Sequence, residues 1–161
     1  MPVKKVVLNA SPLILLCNGD LSFILPELFP EIVVPEAVWQ EIVNGSHLDL
    51  AAKIVPKLNW LKKVSILPAP DVIRWDLGVG ETEVLSFALK YTEYTPVLDD
   101  MLAKKCAHSL DVHTMGTGTI LILAKDRRLI ESVEQSLRKL QSVGLWISEP
   151  IIQMLKRKAG E

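Results

Sequence analysis

Apolar residues run along this chain in short blocks whose period switches between that of a strand and that of a helix. Val3 to Leu8 is β-branched and apolar apart from Lys4 and Lys5, which predicts a central strand buried on both faces. Asn9-Ala10-Ser11-Pro12 reads as a helix entry, with Ser11 at the N-cap and Pro12 at the first helical position. Leu13 to Cys17 continues that helix, and Asn18-Gly19-Asp20 ends it. Leu21 to Leu28 is a second short helical piece, followed by a strand at Ile32-Val33-Val34 and a helix from Pro35 to Val43 that stops at Asn44-Gly45. His47 to Lys53 reads as helical. Trp60 to Leu67 reads as an edge strand or a loop, and Asp71 to Leu77 as a turn or short helix.

The second half is more regular. Glu81 to Lys90 has an apolar stripe of Val84, Leu85 and Ala88, which predicts a helix. Pro96 to Leu98 is a strand and Met101 to Leu110 a helix with Leu102, Cys106 and Ala107 inward. Val112-His113 is a short strand, Ile120 to Lys125 a very apolar helix, and Leu129 to Gln141 an amphipathic one. Leu145-Trp146-Ile147 reads as a last strand, and Ser148 as the cap of a final helix that frays into a basic tail over 150–161. Strands alternating with helices through short connections predict one α/β domain over 1–161, with a mostly parallel sheet between helical layers.

Composition narrows the setting. The chain has 161 residues, 49% of them hydrophobic, and a mean hydropathy of +0.28, which fits one domain with a substantial core and excludes a disordered chain. Its longest apolar runs are too short to span a bilayer, and no secretory leader is visible, so no membrane role is expected. Cys17 and Cys106 sit in helix-like apolar settings and read as free buried thiols, which points to a cytoplasmic protein. The net charge of −1 does not announce a nucleic-acid partner, although basic residues cluster at Lys104-Lys105, Lys125 to Arg128 and Lys156 to Lys158.

Candidate chemistry lies where strands end. In a parallel sheet the carboxyl ends of the strands share one edge, and ligands bind there. Asn9 and the pair Asp99-Asp100 end two strands, and Glu81 opens a helix, so these residues can share a site. Adjacent carboxylates repel unless a cation relieves them, and Mg²⁺ prefers carboxylate oxygens. The competing reading makes Asp99 the cap of the next helix, with Asp100 complementing its dipole. Glu81 and Glu83 can likewise serve only the dipole of their own helix, and Glu41 can be a solvated helix residue. Gly116-Thr117-Gly118-Thr119 resembles a phosphate cradle but lacks the P-loop pattern; its small residues can instead allow close packing. His47, His108 and His113 show no zinc-ligand spacing. Trp39, Trp60, Trp75 and Trp146 read as core or interface rather than base-stacking platforms, because no basic residues interleave with them.

The order of these motifs resembles that of the PIN-domain proteins. The carrying residues are Val7 to Ile14, Val34 to Val38 followed by Glu41, Gly80-Glu81 with Ala88, Val97 to Asp100, and Gly116-Thr117 before an apolar helix. More narrowly, the chain resembles the VapC-like branch known as DUF3368. The resemblance covers nearly the whole chain. It implies an α/β/α sandwich and Mg²⁺- or Mn²⁺-dependent cleavage of single-stranded RNA, commonly as the toxin of a toxin–antitoxin pair. It places Asn9 where these nucleases usually have their first aspartate, Glu41 on the helix glutamate, and Glu81 on the acid opening the central helix. Asp99 falls on the acid after the next strand, with Asp100 as neighbour and possible substitute. On this basis Glu41, Glu81 and Asp99 are the expected metal ligands, and Asn9 and Asp100 complete the catalytic set. Ser11, Lys104, Lys105 and Thr117 are the expected RNA contacts. Asn9 carries no negative charge, which should weaken metal binding. The second expectation is therefore a non-catalytic PIN-like module that binds RNA, an antitoxin or a second copy of itself as a homodimer. A phosphatase-like or response-regulator-like domain is disfavoured, because no suitable lysine follows a later strand.

Overall fold

The computed structural model describes residues 5–45 and 50–161. Four strands form one parallel sheet: β1 (Lys5–Leu8), β2 (Ile32–Pro35), β3 (Leu61–Val64) and β4 (Tyr94–Val97), in the order β3-β2-β1-β4. β1 pairs with β2 through Val6↔Ile32 and with β4 through Val7↔Pro96 and Leu8↔Val97, so it lies centrally, as its apolar run predicts. β3 is the edge: Leu61 faces the core while Lys62 and Lys63 face water, and those charges discourage further strand pairing. That settles the open reading of Trp60 to Leu67 in favour of an edge strand.

Helices are α1 (Ala10–Asn18), α2 (Ile24–Leu28), α3 (Glu36–Val43), α4 (Leu50–Ile54), α5 (Pro70–Ile73), α6 (Val79–Lys90), α7 (Met101–Ser109), α8 (Thr117–Asp126), α9 (Val133–Ser142) and α10 (Glu149–Lys158). The fold is a three-layer α/β/α sandwich. α3 and α6 pack on each other and on β2, while α8, α9 and α10 form a second packed group. Val7, Leu8, Leu13, Val34, Leu85, Leu98 and Ile120 are among the fully buried apolar residues between layers. Cys17 and Cys106 are free and buried, as predicted, and burial pushes the Cys17 thiol up to about 11.

Several expectations need correction. Asn9, not Ser11, occupies the N-cap position of α1, and Pro12 sits at the third helical position. Asn9 is the last extended residue, its N–H bonding the Val97 carbonyl at 3.0 Å, and the backbone turns helical directly after it, two residues before the expected cap. Asp100, not Asp99, caps α7, accepting the Ala103 N–H at 2.9 Å. Val112-His113 is not a strand; the chain meets β4 later, where Met115 N–H bonds the Pro96 carbonyl and Leu98 N–H the Met115 carbonyl. The amphipathic helix starts at Val133 rather than Leu129, because Arg128 takes a left-handed φ of 62° and Ser132 then caps α9. Leu145-Trp146-Ile147 is loop, not strand. His47 lies outside the described residues, while the rest of its segment contains α4.

The basic tail does not fray. α10 buries Ile152 and Leu155, and a Cβ on Gly118 would lie 2.8 Å from Leu155 Cδ1, so this glycine admits α10 against α8. Lys156 pairs with Glu134. The Glu161 carboxylate then accepts bonds from Lys125 Nζ, Ser132 Oγ and the N–H groups of Val133 and Glu134, at the start of α9. Burial alone raises the Glu161 carboxyl, but these four bonds outweigh it and bring it from 4.5 to about 2. A carboxyl lowered by folding stabilises the ionised state, so its contribution is complete above about pH 4.5 and lost as pH falls toward 2. Glu161→Gln should therefore cost about 1 kcal/mol at neutral pH, the usual scale of a helix cap. Urea melts should show that difference shrinking between pH 4.5 and pH 2.

Candidate active site

The carboxyl ends of β1 and β4 each deliver one polar residue to the same edge of the sheet. Asn9 follows β1 and is 3% exposed; Asp99 follows β4 by one residue and is half-buried. Across from Asn9, α6 begins with Gly78 at its cap and Glu81 in its first turn. The Asn9 amide Nδ2 donates to Glu81 Oε1 at 3.3 Å. Gly80 is the close-approach point: a Cβ there would lie 3.4 Å from both Asn9 Oδ1 and Glu41 Oε1. A Cβ at Gly78 would meet the Glu81 carboxylate, which would have to swing aside. Asn9, Glu41 and Glu81 thus converge beside the first turn of α6.

Glu41 reaches this point from α3, and its carboxyl is shifted above its ordinary range, first by desolvation and then by the facing Glu81 charge. Glu83 fixes the relation of the two helices. Its Oε1 accepts the Ala37 N–H at 3.0 Å, so a residue of α6 caps the first turn of α3. That role was not visible in the sequence, where Glu83 reads as serving its own helix; the bond joins residues 46 positions apart.

Asp99 is held from the other side. Thr117 N–H donates to its Oδ1 at 2.9 Å and Thr117 Oγ1 to its Oδ2 at 2.5 Å. Thr117 is 1% exposed, so it positions Asp99 and is not open to RNA. The same bond means that the start of α8 is taken by Asp99, which corrects the phosphate-cradle reading of Gly116 to Thr119. Thr117→Val should cost about 1–2 kcal/mol through the lost hydroxyl bond to a charged acceptor, read as a lower urea midpoint with an unchanged slope.

Asn9, Ser11, Glu81, Asp99 and Asp100 line one open cavity of about 330 Å³, to which Gly144, Leu145 and Trp146 also contribute. Ser11 and Asp100 are exposed at its rim. Lys104 lies beside the cavity: a Cβ on Gly116 would be 3.0 Å from Asp99 Oδ1 and 3.4 Å from Lys104 Nζ. Lys105 is exposed on the same helix but lines neither this cavity nor its neighbour.

Among the described residues, no group of three or more His, Cys, Asp or Glu side chains is gathered closely enough to hold a metal ion. The donors fit a different mode. Mg²⁺ commonly binds through one or two carboxylates and keeps water for exchange with phosphate oxygens. Glu41 and Glu81, with the Asn9 amide oxygen between α1 and α6, offer such a partial shell, and their mutual repulsion is what a cation would relieve.

A family profile described as PIN domain, DUF3368, matches residues 5–161. The chain belongs to this PIN-domain family. The fold therefore carries a nuclease-type module, and PIN domains generally use divalent metal ions. No curated protein matches the chain. No described helix of this PIN domain is long and apolar enough to cross a membrane.

Proposed function

We propose that this PIN domain is a divalent-metal-dependent endoribonuclease for single-stranded RNA, and that it serves as the VapC-like toxin of a toxin–antitoxin pair. The observation that supports it most is the convergence of Asn9, Glu41 and Glu81 beside Gly80, with Asp99 lining the same open cavity as Asn9 and Glu81. Glu41, Glu81 and Asp99 would hold Mg²⁺ or Mn²⁺, directly or through water. The bound ion would polarise a phosphate oxygen and lower the pKa of a water molecule. The chain's own part is positional. Glu83 sets α3 against α6, Thr117 fixes the Asp99 carboxylate, and the Asn9 amide holds Glu81 while keeping one oxygen free. Asp100, spent partly on capping α7, has its second oxygen left to orient water at the rim of the cavity it lines. Lys104 is the natural contact for a phosphate next to Asp99.

A second reading has support in two observations. Asn9 is neutral where a carboxylate would add charge, and both Asp99 oxygens are already hydrogen-bonded. Under that reading the domain binds RNA, an antitoxin or a second copy of the chain without cutting. The separating experiment incubates end-labelled single-stranded RNA with the protein in Mn²⁺ and in EDTA. Cleavage in Mn²⁺ that stops in EDTA supports the nuclease. Intact RNA at millimolar Mn²⁺, with RNA or partner binding retained, contradicts it.

A further inference from the structure

Trp146 is 99% exposed, although it sits in an apolar sequence that reads as a last strand. Its neighbours explain the exposure. Gly144 takes a φ of 119°, a left-handed value that suits glycine, and starts the loop. Leu145 N–H then bonds the Leu140 carbonyl at 2.9 Å, and the Gln141 side-chain amide bonds the Ile147 carbonyl at 3.3 Å. Leu145 and Ile147 turn inward onto the core, so Trp146 between them is turned outward. The indole is displayed on a loop anchored at both sides, with its apolar area unburied.

Its position gives the display a use. Trp146 and Asp99 are shared by two adjoining clefts. One is the acidic cavity; the other, about 470 Å³, is lined by Met101, Lys104, Ile151 and Lys158 as well. Among the described residues, Asp99 is the one acid on the walls of that second cleft. Lys104 and Lys158 have no carboxylate within ion-pair distance among the described residues, whereas Lys125 and Lys156 do. A groove with a free aromatic face, apolar walls and two unpaired ammonium groups is complementary to a single-stranded polynucleotide, which offers flat bases and phosphates together. A base stacked on Trp146 would leave its backbone phosphates in the cleft that Lys104 and Lys158 also line.

Resting on the ribonuclease reading above, we infer that Trp146 is a base-stacking platform, and that the cleft it shares with Lys104 and Lys158 binds the nucleotides flanking the scissile phosphate. The test measures fluorescence anisotropy of a short fluorescein-labelled oligoadenylate in EDTA, so that no cleavage intervenes. The competitor is a base-free sugar-phosphate oligomer of equal length. Trp146→Ala should weaken oligoadenylate binding roughly tenfold or more, the scale of one lost stacked base. Trp146→Phe should keep most of the affinity, and the base-free oligomer should bind all three proteins alike. Because Trp146 is solvated, the melting temperature should not move. Unchanged oligoadenylate binding in Trp146→Ala overturns the inference. So does equal binding of both oligomers to the wild type, or a Trp146→Ala effect confined to self-association in sedimentation, which would make this face a contact between copies. The same proteins assayed in Mn²⁺ separate the two claims. Cleavage without a Trp146 effect on binding removes the platform and leaves the nuclease. Trp146-dependent binding without cleavage removes the nuclease and leaves the platform.

Discussion

Asp99→Asn is expected to lower Mn²⁺-dependent RNA cleavage by about 100-fold or more while leaving the domain folded, since a metal-linked carboxylate supplies several kcal/mol of transition-state charge stabilisation. The substitution is nearly isosteric. Its amide oxygen can still accept the Thr117 N–H, and its NH₂ can donate to Thr117 Oγ1, which rotates to accept. What disappears is the negative charge at the start of α8 and at the cavity. The stability loss should therefore stay within about 2 kcal/mol, the difference between charge-assisted and neutral bonds together with the helix-dipole contribution. Circular dichroism melts alongside single-turnover cleavage would check both halves. Cleavage near the wild-type rate in Asp99→Asn would mean that the reaction does not use this carboxylate.

The second large effect concerns Asn9→Asp, and it has opposite signs with and without metal. Asn9 is buried and donates to Glu81 Oε1. An aspartate there removes the donor and sets a third carboxylate beside Glu81 and Glu41. Without metal that should destabilise the domain by about 1–3 kcal/mol, the cost of an unsatisfied buried polar group, which corresponds to several degrees in melting temperature for a chain of this size. With Mn²⁺ the added charge should reverse the loss, because a ligand that binds only the folded state stabilises it in proportion to the logarithm of its concentration over Kd. Differential scanning fluorimetry across a Mn²⁺ titration reads both effects. A variant equally stable with and without Mn²⁺ would show that Asn9 does not face a cation site.

The sequence carried the parts of the fold that depend on local pattern. β-branched runs ending at Leu8, Val34 and Val97 marked the parallel strands, and Gly80-Glu81 marked the start of the central helix. The order of those motifs also carried the PIN assignment and brought Asn9, Glu81 and Asp99 to one edge. The remainder depends on contacts between distant residues, which no local period records. Thr117 is 18 positions from Asp99, and Glu83 is 46 from Ala37. Nothing around Thr117 distinguishes a clamp on a carboxylate from a phosphate cradle, because both use the same free N–H groups. Glu161 reads as the end of a solvated tail until its four partners at α9 are seen. Trp146 reads as core or interface, and its exposure removes the core half of that reading. Its apolar neighbours predict burial, yet alternation within an anchored loop puts Leu145 and Ile147 inside and leaves the indole outside. The exchange of roles between Asp99 and Asp100 is also tertiary: the capping position went to the residue whose partner was one turn ahead, and the other was left for the site.

Isothermal calorimetry of Mn²⁺ added to the wild type and to Asp99→Asn tests the central claim most directly. Saturable binding to the wild type, lost or weakened at least tenfold in Asp99→Asn, is the result expected if Glu41, Glu81 and Asp99 share one cation; that factor corresponds to about 1.4 kcal/mol. No heat at millimolar Mn²⁺, or the same isotherm for both proteins, would contradict a metal site at the carboxyl edge of this sheet.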